Sequence, residues 1–292
     1  MNKQKIIKAG KIASEVKAWI KPQIKKDFPL LEIAETIEKK IIELGGFPAF
    51  PVNLSINEYA AHYTPSHDDK TLAHGLLKVD FGVEIEGWIA DNAFSVDLEN
   101  SRTNKELIKA SLKALNEAEK ILSSETNLGE VGGIIEKTIR RHGFNPVTNL
   151  SGHSMEQYDL HAGITVPNVN NNSKNTFEEG LYAIEPFATD GNGFVHDGKK
   201  GNIFILQNDK NTRLPLAREI LEFVKDNYGY LPFASRWIVK EFGTRSILAL
   251  NQLENEGVLH HYSVLTEEKG KVVSQAENSF LIERDKVTNT SK

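Results

Sequence analysis

Leu76-Leu77-Lys78-Val79-Asp80-Phe81-Gly82-Val83-Glu84-Ile85, then Glu86-Gly87, then Trp88-Ile89-Ala90-Asp91-Asn92-Ala93-Phe94-Ser95-Val96 is the stretch that decides the architecture. Leu77, Val79, Phe81, Val83 and Ile85 alternate with other residues, the period-2 pattern of a strand. A two-residue turn at Glu86-Gly87 sets the register: Ile85 faces Trp88, Gly82 faces Asp91, and Asp80 faces Ala93. Asp80 and Asp91 then share one face as diagonal neighbours, about 7–8 Å apart at the backbone and closer at their carboxylates. Two buried carboxylates at that separation repel unless a proton or a cation lies between them. The hairpin therefore predicts a metal, and the rest of the chain is read for the remaining ligands.

The composition narrows which ligands those can be. The chain has no Cys, which excludes disulfides and thiolate sites and leaves Asp, Glu and His. Such oxygen-rich ligation suits Mn, Fe(II), Co or Zn in a hydrolytic site better than a structural zinc. The net charge of −5 gives no electrostatic reason to expect nucleic acid. The N-terminus carries Lys but no apolar run of signal-peptide length. No stretch approaches the roughly 18 apolar residues of a membrane span. A cytoplasmic enzyme is the expectation.

Along the chain, Ile6, Ile7, Ile12, Ala13, Val16 and Ile20 predict an amphipathic helix limited by Pro22. A second helix is expected over Leu30 to Leu44, stopped by Gly45-Gly46. Phe47 to Ile56 reads as a Pro-limited edge strand or loop. After the hairpin come helices over Asn104 to Leu122 and Val131 to Arg141, then a polar loop from Asn168 to Asn175 and a strand from Leu181 to Phe187. Two helices and strands therefore occur twice, which suggests two similar halves. From about Gly191 to Tyr262 short helices dominate: Leu214 to Tyr228, Ser235 to Phe242 and Thr244 to Glu256. The expected organisation is a main domain of residues 1–190 and 263–292, interrupted by a helical insertion at 191–262. A final strand, Val272 to Ile282, returns to the main domain.

Five candidate ligands emerge: Asp80, Asp91, His153, Glu185 and Glu277. Each alone has an ordinary explanation, since a strand Asp is usually at the surface and a His beside Gly usually lies in a loop. Glu185 and Glu277 are harder to explain away. Both sit within apolar strands, where an unpaired charge costs several kcal/mol, and no Arg or Lys partner is evident nearby.

Val79-Asp80-Phe81-Gly82 with Asp91 eleven positions on, Ser151-Gly152-His153-Ser154, Leu160-His161-Ala162-Gly163, Ile184-Glu185-Pro186-Phe187 and Gln275-Ala276-Glu277 together resemble the methionine aminopeptidases. Asn57-Glu58-Tyr59-Ala60-Ala61-His62-Tyr63-Thr64-Pro65 and the long gap between Glu185 and Glu277 resemble the type II branch, the archaeal and eukaryotic-like one. The resemblance spans essentially the whole chain. Asn278-Ser279 departs from it, since relatives often have His-Thr there.

The resemblance implies the pseudo-twofold pita-bread α/β fold, also called creatinase/aminopeptidase-like, with a winged-helix-like insertion. It implies two divalent metal ions (Co, Mn, Fe(II) or Zn), with Asp80 chelating one and Asp91 and Glu277 bridging both. His153 and Glu185 complete the shell of the second metal. The implied reaction is hydrolytic removal of N-terminal Met from nascent proteins and peptides. Glu185 would also shuttle a proton, His161 would donate to the scissile peptide, and His62 would contact substrate near the cleaved bond. Phe50 would wall the apolar pocket for the Met side chain.

A proline-specific peptidase of the same fold usually carries a further N-terminal domain, and about 60 residues before His62 leave no room for one. A non-catalytic RNA- or ribosome-binding homologue would be expected to have lost ligands, whereas all five are present. The expected partners are peptides and nascent chains beginning with Met, with neither a membrane nor a specific nucleic acid, and the expected state is a monomer. Transient ribosome association is compatible with action on nascent chains, though no motif encodes it.

Overall fold

The computed structural model describes residues 1–292. Helix α1 (Lys3–Ile20) begins where the Asn2 side chain accepts a hydrogen bond from the Lys5 N–H, and it turns Ile6, Ile12, Ala13, Val16 and Ile20 inward. Helix α2 (Leu30–Glu43) buries Leu30, Ile33, Ile37 and Ile41 along one stripe. Pro48 and Pro51 break the next stretch into β1 (Phe47–Pro48) and β2 (Asn53–Ile56), and β3 (Tyr59–Ala61) follows. The hairpin is β4 (Leu76–Ile85) and β5 (Trp88–Asp97), with β1 and β2 both on the other edge of β4.

The hairpin adopts the expected register, with Ile85 opposite Trp88, Gly82 opposite Asp91 and Asp80 opposite Ala93. Glu86 and Gly87 have φ of +50° and +82°, the left-handed pair of a type I′ turn whose twist matches that of the strands. Leu77, Val79, Phe81, Val83 and Ile85 join α1 and α2 in one apolar core. The opposite face of the hairpin, carrying Asp80 and Asp91, is left for the site.

The second half repeats the plan. Helices α3 (Arg102–Glu119) and α4 (Leu128–Arg141) are followed by β6 (Asn145–Pro146), β7 (Ser151–Met155), β8 (Thr165–Pro167), β9 (Gly180–Ile184) and β10 (Phe187–Thr189). Leu107, Ala114 and Leu115 of α3 and Val131, Ile135 and Ile139 of α4 pack on Tyr182 and Ile184 in a second core. Two helices over antiparallel strands, twice, give the pseudo-twofold pita-bread fold.

The insertion is less purely helical than its sequence suggests. It contains β11 (His196–Leu206), α5 (Pro215–Asn227), β12 (Phe233–Ala234), α6 (Ser235–Phe242), α7 (Ser246–Asn255) and β13 (Leu259–Thr266). Its three helices share a core drawn wholly from positions 204 to 259. Strands β12, β11 and β13 form an antiparallel sheet, and β13 runs past the expected limit at 262 to pair with β3 of the main domain. The first five residues of β11 are polar and exposed, so no apolar alternation announced that strand.

Two strands expected to be continuous are broken, and the breaks matter. The chain continues through β14 (Val273–Gln275), β15 (Asn278–Glu283) and β16 (Lys286–Asn289), the last an unanticipated hairpin partner of β15. Strand β9 pairs with β15 in one sheet, while β10 pairs with β14 in another. The two chain segments therefore leave one sheet and enter the next side by side. Pro186 lacks the N–H that would continue a ladder, and its carbonyl accepts from Ala276 N–H at 3.2 Å. Glu185 and Glu277 sit at this double break, and the Glu277 N–H donates to Ala93 O at 3.0 Å to join it to the hairpin. No helix is long and apolar enough to cross a membrane.

Candidate metal centre

All five sequence-derived candidates line one cavity of about 270 Å³, together with Phe50, His62 and His161. Ligand atoms of Asp91, His153 and Glu277 all lie within 4.8 Å of one another. His153 Nε2 stands 3.6 Å from Asp91 Oδ2 and 3.5 Å from Glu185 Oε1. Asp80 closes the group: the Gln275 side-chain amide donates to Asp80 Oδ2 at 3.4 Å and to Glu277 Oε2 at 3.3 Å. The Nδ1 of His153 approaches Ser154 O at 3.4 Å, which favours the tautomer with its lone pair on Nε2, facing the carboxylates.

The cluster is electrostatically uncomfortable without cations. Burial pushes Asp80 from 3.8 up to about 7, with the Gln275 amide opposing. Burial, then the Asp80 charge, holds Asp91 well above the carboxylate range. Burial followed by Asp91 and Asp80 does the same to Glu185. Glu277 is likewise raised well above its ordinary value, first by burial and then by Asp91, Glu185 and Asp80. These four titrate together rather than singly. Asp80 Oδ1 and Asp91 Oδ1 are buried without any hydrogen-bond partner. Unpartnered carboxylate oxygens, an imidazole lone pair and no competing ammonium fit divalent cations. Four carboxylates contribute −4, which two such ions balance.

The histidines are set as neutral groups. Burial, then the neighbouring His161, lowers His153 to about 3. Burial and His161 also lower His62 to about 4, against the Ser263 carbonyl that meets His62 Nδ1 at 3.3 Å. His62 occupies the left-handed region at φ +64°, an unusual conformation for a residue with a side chain. His161 packs against His153 with ring centroids 4.5 Å apart and is itself exposed at the cavity mouth.

Several residues that sequence reasoning passed over hold this arrangement. Ser279 Oγ accepts from the Asp91 N–H at 2.7 Å and donates to Asp91 O at 2.9 Å. The departure at Asn278-Ser279 thus keeps a hydroxyl where it is used. Lys17 of α1 donates to Glu277 O at 3.3 Å and Asn278 Oδ1 at 3.2 Å, and burial lowers its pKa to about 8. A lysine therefore does approach Glu277, contrary to the sequence expectation, but it bonds the backbone and leaves the carboxylate free. The aromatic wall includes Tyr262 as well as Phe50. Gly82 carries a signal that could have been used: a Cβ there would meet the Phe50 ring at 2.4 Å.

The family model of metallopeptidase family M24 matches residues 4–208. The chain is 46% identical over 292 residues to a methionine aminopeptidase of Methanocaldococcus jannaschii, spanning 99% of this chain and 98% of that one. The chain belongs to metallopeptidase family M24. A methionine aminopeptidase of Pyrococcus horikoshii is 44% identical over 297 residues, the full length of both. Among solved structures, a thermophilic Arx1 superposes with a TM-score of 0.82 at 16% identity, over 98% of this chain and 90% of that one. A methionine aminopeptidase of Thermotoga maritima gives 0.71 at 18% identity, over 100% and 98%. A Pyrococcus furiosus prolidase gives 0.60 at 14% identity, and there the M24 chain covers only 64% of the longer protein. These structural likenesses show a common fold. As a family M24 metallopeptidase, the protein uses divalent metal cofactors, for which the buried carboxylate–histidine cluster is fitted.

Proposed function

We propose that the protein is a methionyl aminopeptidase that releases N-terminal Met from peptides and nascent chains in the cytoplasm. The observation that carries this reading is the meeting of four carboxylates and His153 at one cavity whose buried Asp80 and Asp91 oxygens lack partners. The full-length identity to methionine aminopeptidases supports it.

On this reading Asp80, Asp91, His153, Glu185 and Glu277 would hold two divalent cations. Bound there, the cations would supply Lewis acidity and lower the pKa of a water towards about 7, the acidity that peptide hydrolysis at neutral pH calls for. The remaining work falls to side chains. Glu185, whose burial raises its affinity for a proton, would take the proton of the attacking water at its ionised carboxylate and hand it to the leaving amine. His161, at the mouth, donates to the scissile peptide oxygen as negative charge develops there. His62, held neutral with Nδ1 at Ser263 O, offers Nε2 to the peptide near the cleaved bond. Phe50 walls the apolar space that receives the Met side chain.

The test is release of free Met from Met-Ala-Ser by metal-stripped protein after Mn, Fe(II), Co or Zn is added back. Asp91→Asn and Glu277→Gln variants and the dipeptide Ala-Pro serve as controls. Metal-dependent release, lost in both variants and absent for Ala-Pro, is expected. No release with any metal from folded protein would favour a non-catalytic homologue, and cleavage of Ala-Pro alone would favour a proline-specific peptidase.

A further inference from the structure

An ion pair between Glu38 of α2 and Arg236 of α6 joins the insertion to the main domain, and both residues are almost completely buried, at 7% and 4% exposure. One guanidinium nitrogen reaches Glu38 Oε1. The other donates to Thr64 Oγ1 at 2.6 Å and to Pro65 O at 3.1 Å. Glu38 also accepts from Trp237 Nε1 at 2.9 Å and from the Val52 N–H at 3.3 Å. Thr64 Oγ1 in turn donates to Val52 O at 2.7 Å. Apart from the bonds of Arg236 and Trp237 to Glu38, the network ends on two short segments: Val52, two residues after Phe50, and Thr64-Pro65, two residues after His62.

The insertion grips the second segment at two more points. Asn202 Nδ2 donates to Thr64 O at 3.3 Å, and Ser263 O meets His62 Nδ1. The residue so gripped has φ +64°, a conformation that persists only where its surroundings over-determine it. A buried ion pair is a poor adhesive, because apolar residues of similar volume hold two surfaces together as well or better. Its planar fork is good at something else, which is fixing direction.

We infer that Arg236 is a positioning residue, through which the insertion sets the orientation of His62 over the substrate cavity. The inference rests on the proposed role of His62 in contacting substrate. It gives the insertion a task in the reaction: Ile203, Pro232 and Tyr262 contribute cavity wall, and Arg236 braces the main-domain segment that faces them.

Lysine at 236 keeps the charge and can answer Glu38, but a single ammonium cannot span Glu38, Thr64 and Pro65 as the fork does. Misplacing a contacting group by about 1 Å costs on the order of 100-fold in rate. Arg236→Lys is therefore expected to lower kcat for Met-Ala-Ser by about 10- to 100-fold, with KM little changed and metal content by elemental analysis equal to wild type. In a His62→Ala background the same substitution is expected to cost under about 3-fold, because the group it positions is gone. A merely structural role would give the same loss in both backgrounds, and that result overturns the inference. So does an Arg236→Lys protein of full activity. Glu38→Gln with Arg236→Met removes both charges and leaves neither buried alone. This double variant is expected to fold and to show the same loss, and wild-type activity in it also overturns the inference. Full activity of His62→Ala removes the premise and sinks the inference while leaving the proposed function standing. Absence of Met release from the metal-loaded wild type refutes that function and the inference with it.

Discussion

Asp80→Asn replaces a carboxylate by a carboxamide of the same shape at the position where the metal-free site is under electrostatic stress. Burial raises Asp80 from 3.8 to about 7 in the folded protein. For an acid whose folded pKa is raised, the cost to stability is absent below the unfolded value and complete above the folded one. Three pH units at about 1.4 kcal/mol each give about 4 kcal/mol, present above pH 7 and absent below about pH 4. Asn bears no such cost at any pH. The difference between variant and wild type also cancels the contributions of His62 and His153. Their folded pKa values of about 4 and about 3 act with the opposite sign, adding stability as pH rises to about 6.5.

Urea unfolding of chelator-treated protein, followed by tryptophan fluorescence, reads the effect directly. The two proteins are expected to agree within about 1 kcal/mol at pH 4.5, and the variant to be the more stable by about 4 kcal/mol at pH 8. Mn or Co saturating both cation sites should reverse the order, since each cation at 100 times its Kd adds about 2.7 kcal/mol to the protein that binds it, about 5.4 kcal/mol for two. Met release by the variant should be lost. If Asp80→Asn gives no gain in the metal-free protein at pH 8, the carboxylates are compensated by something other than cations, and the argument from buried, unpartnered charge to metal fails.

Gly82→Ala puts a methyl 2.4 Å from the Phe50 ring, so it should destabilise by about 1–3 kcal/mol in urea and raise KM for Met-Ala-Ser as Phe50 is displaced. Ser279→Ala leaves both backbone groups of Asp91 without their hydroxyl partner. It should cost about 1–3 kcal/mol and weaken Mn binding by calorimetry about 10- to 100-fold, whereas Ser279→Thr should behave as wild type. Glu86→Asn suits the left-handed first turn position better than Glu and gives up only an exposed ion pair with Lys5. It should raise the urea midpoint by an amount worth about 0.5–1 kcal/mol with the slope unchanged.

The hairpin was legible because everything that fixes it is local: an alternating face, a two-residue turn, and a period of two that forbids slippage. Glu185 and Glu277 were legible as misplaced charges but not as break points. That depends on β9, β10, β14 and β15 exchanging partners, which no window of sequence contains. Pro186 was the one local sign of it. Strand β11 escaped notice because its pairing with β13 bridges more than fifty residues and its first half faces solvent. Lys17, Gln275 and Ser279 escaped for another reason. Each is an ordinary polar residue on its own element, and its partner arrives only when α1, the β4–β5 hairpin, β14 and β15 come together.

Four of the places where local rules fail meet at one cavity. Asp80 Oδ1 and Asp91 Oδ1 lack partners, Asn53 Oδ1 opposite Asp80 lacks one too, and His62 holds a left-handed backbone. All four residues line the same cavity. The two large cores, in contrast, are ordinary apolar packing of helices on strands. A fold whose cores are conventional can carry a few kcal/mol of repulsion and strain at one spot, and selection for stability alone would have removed it. The meeting of unpartnered carboxylate oxygens with the two buried glutamates at this cavity therefore argues that the site is kept for what binds there. It also explains why a substitution that relieves the stress, such as Asp80→Asn, should strengthen the metal-free fold and abolish the chemistry at once.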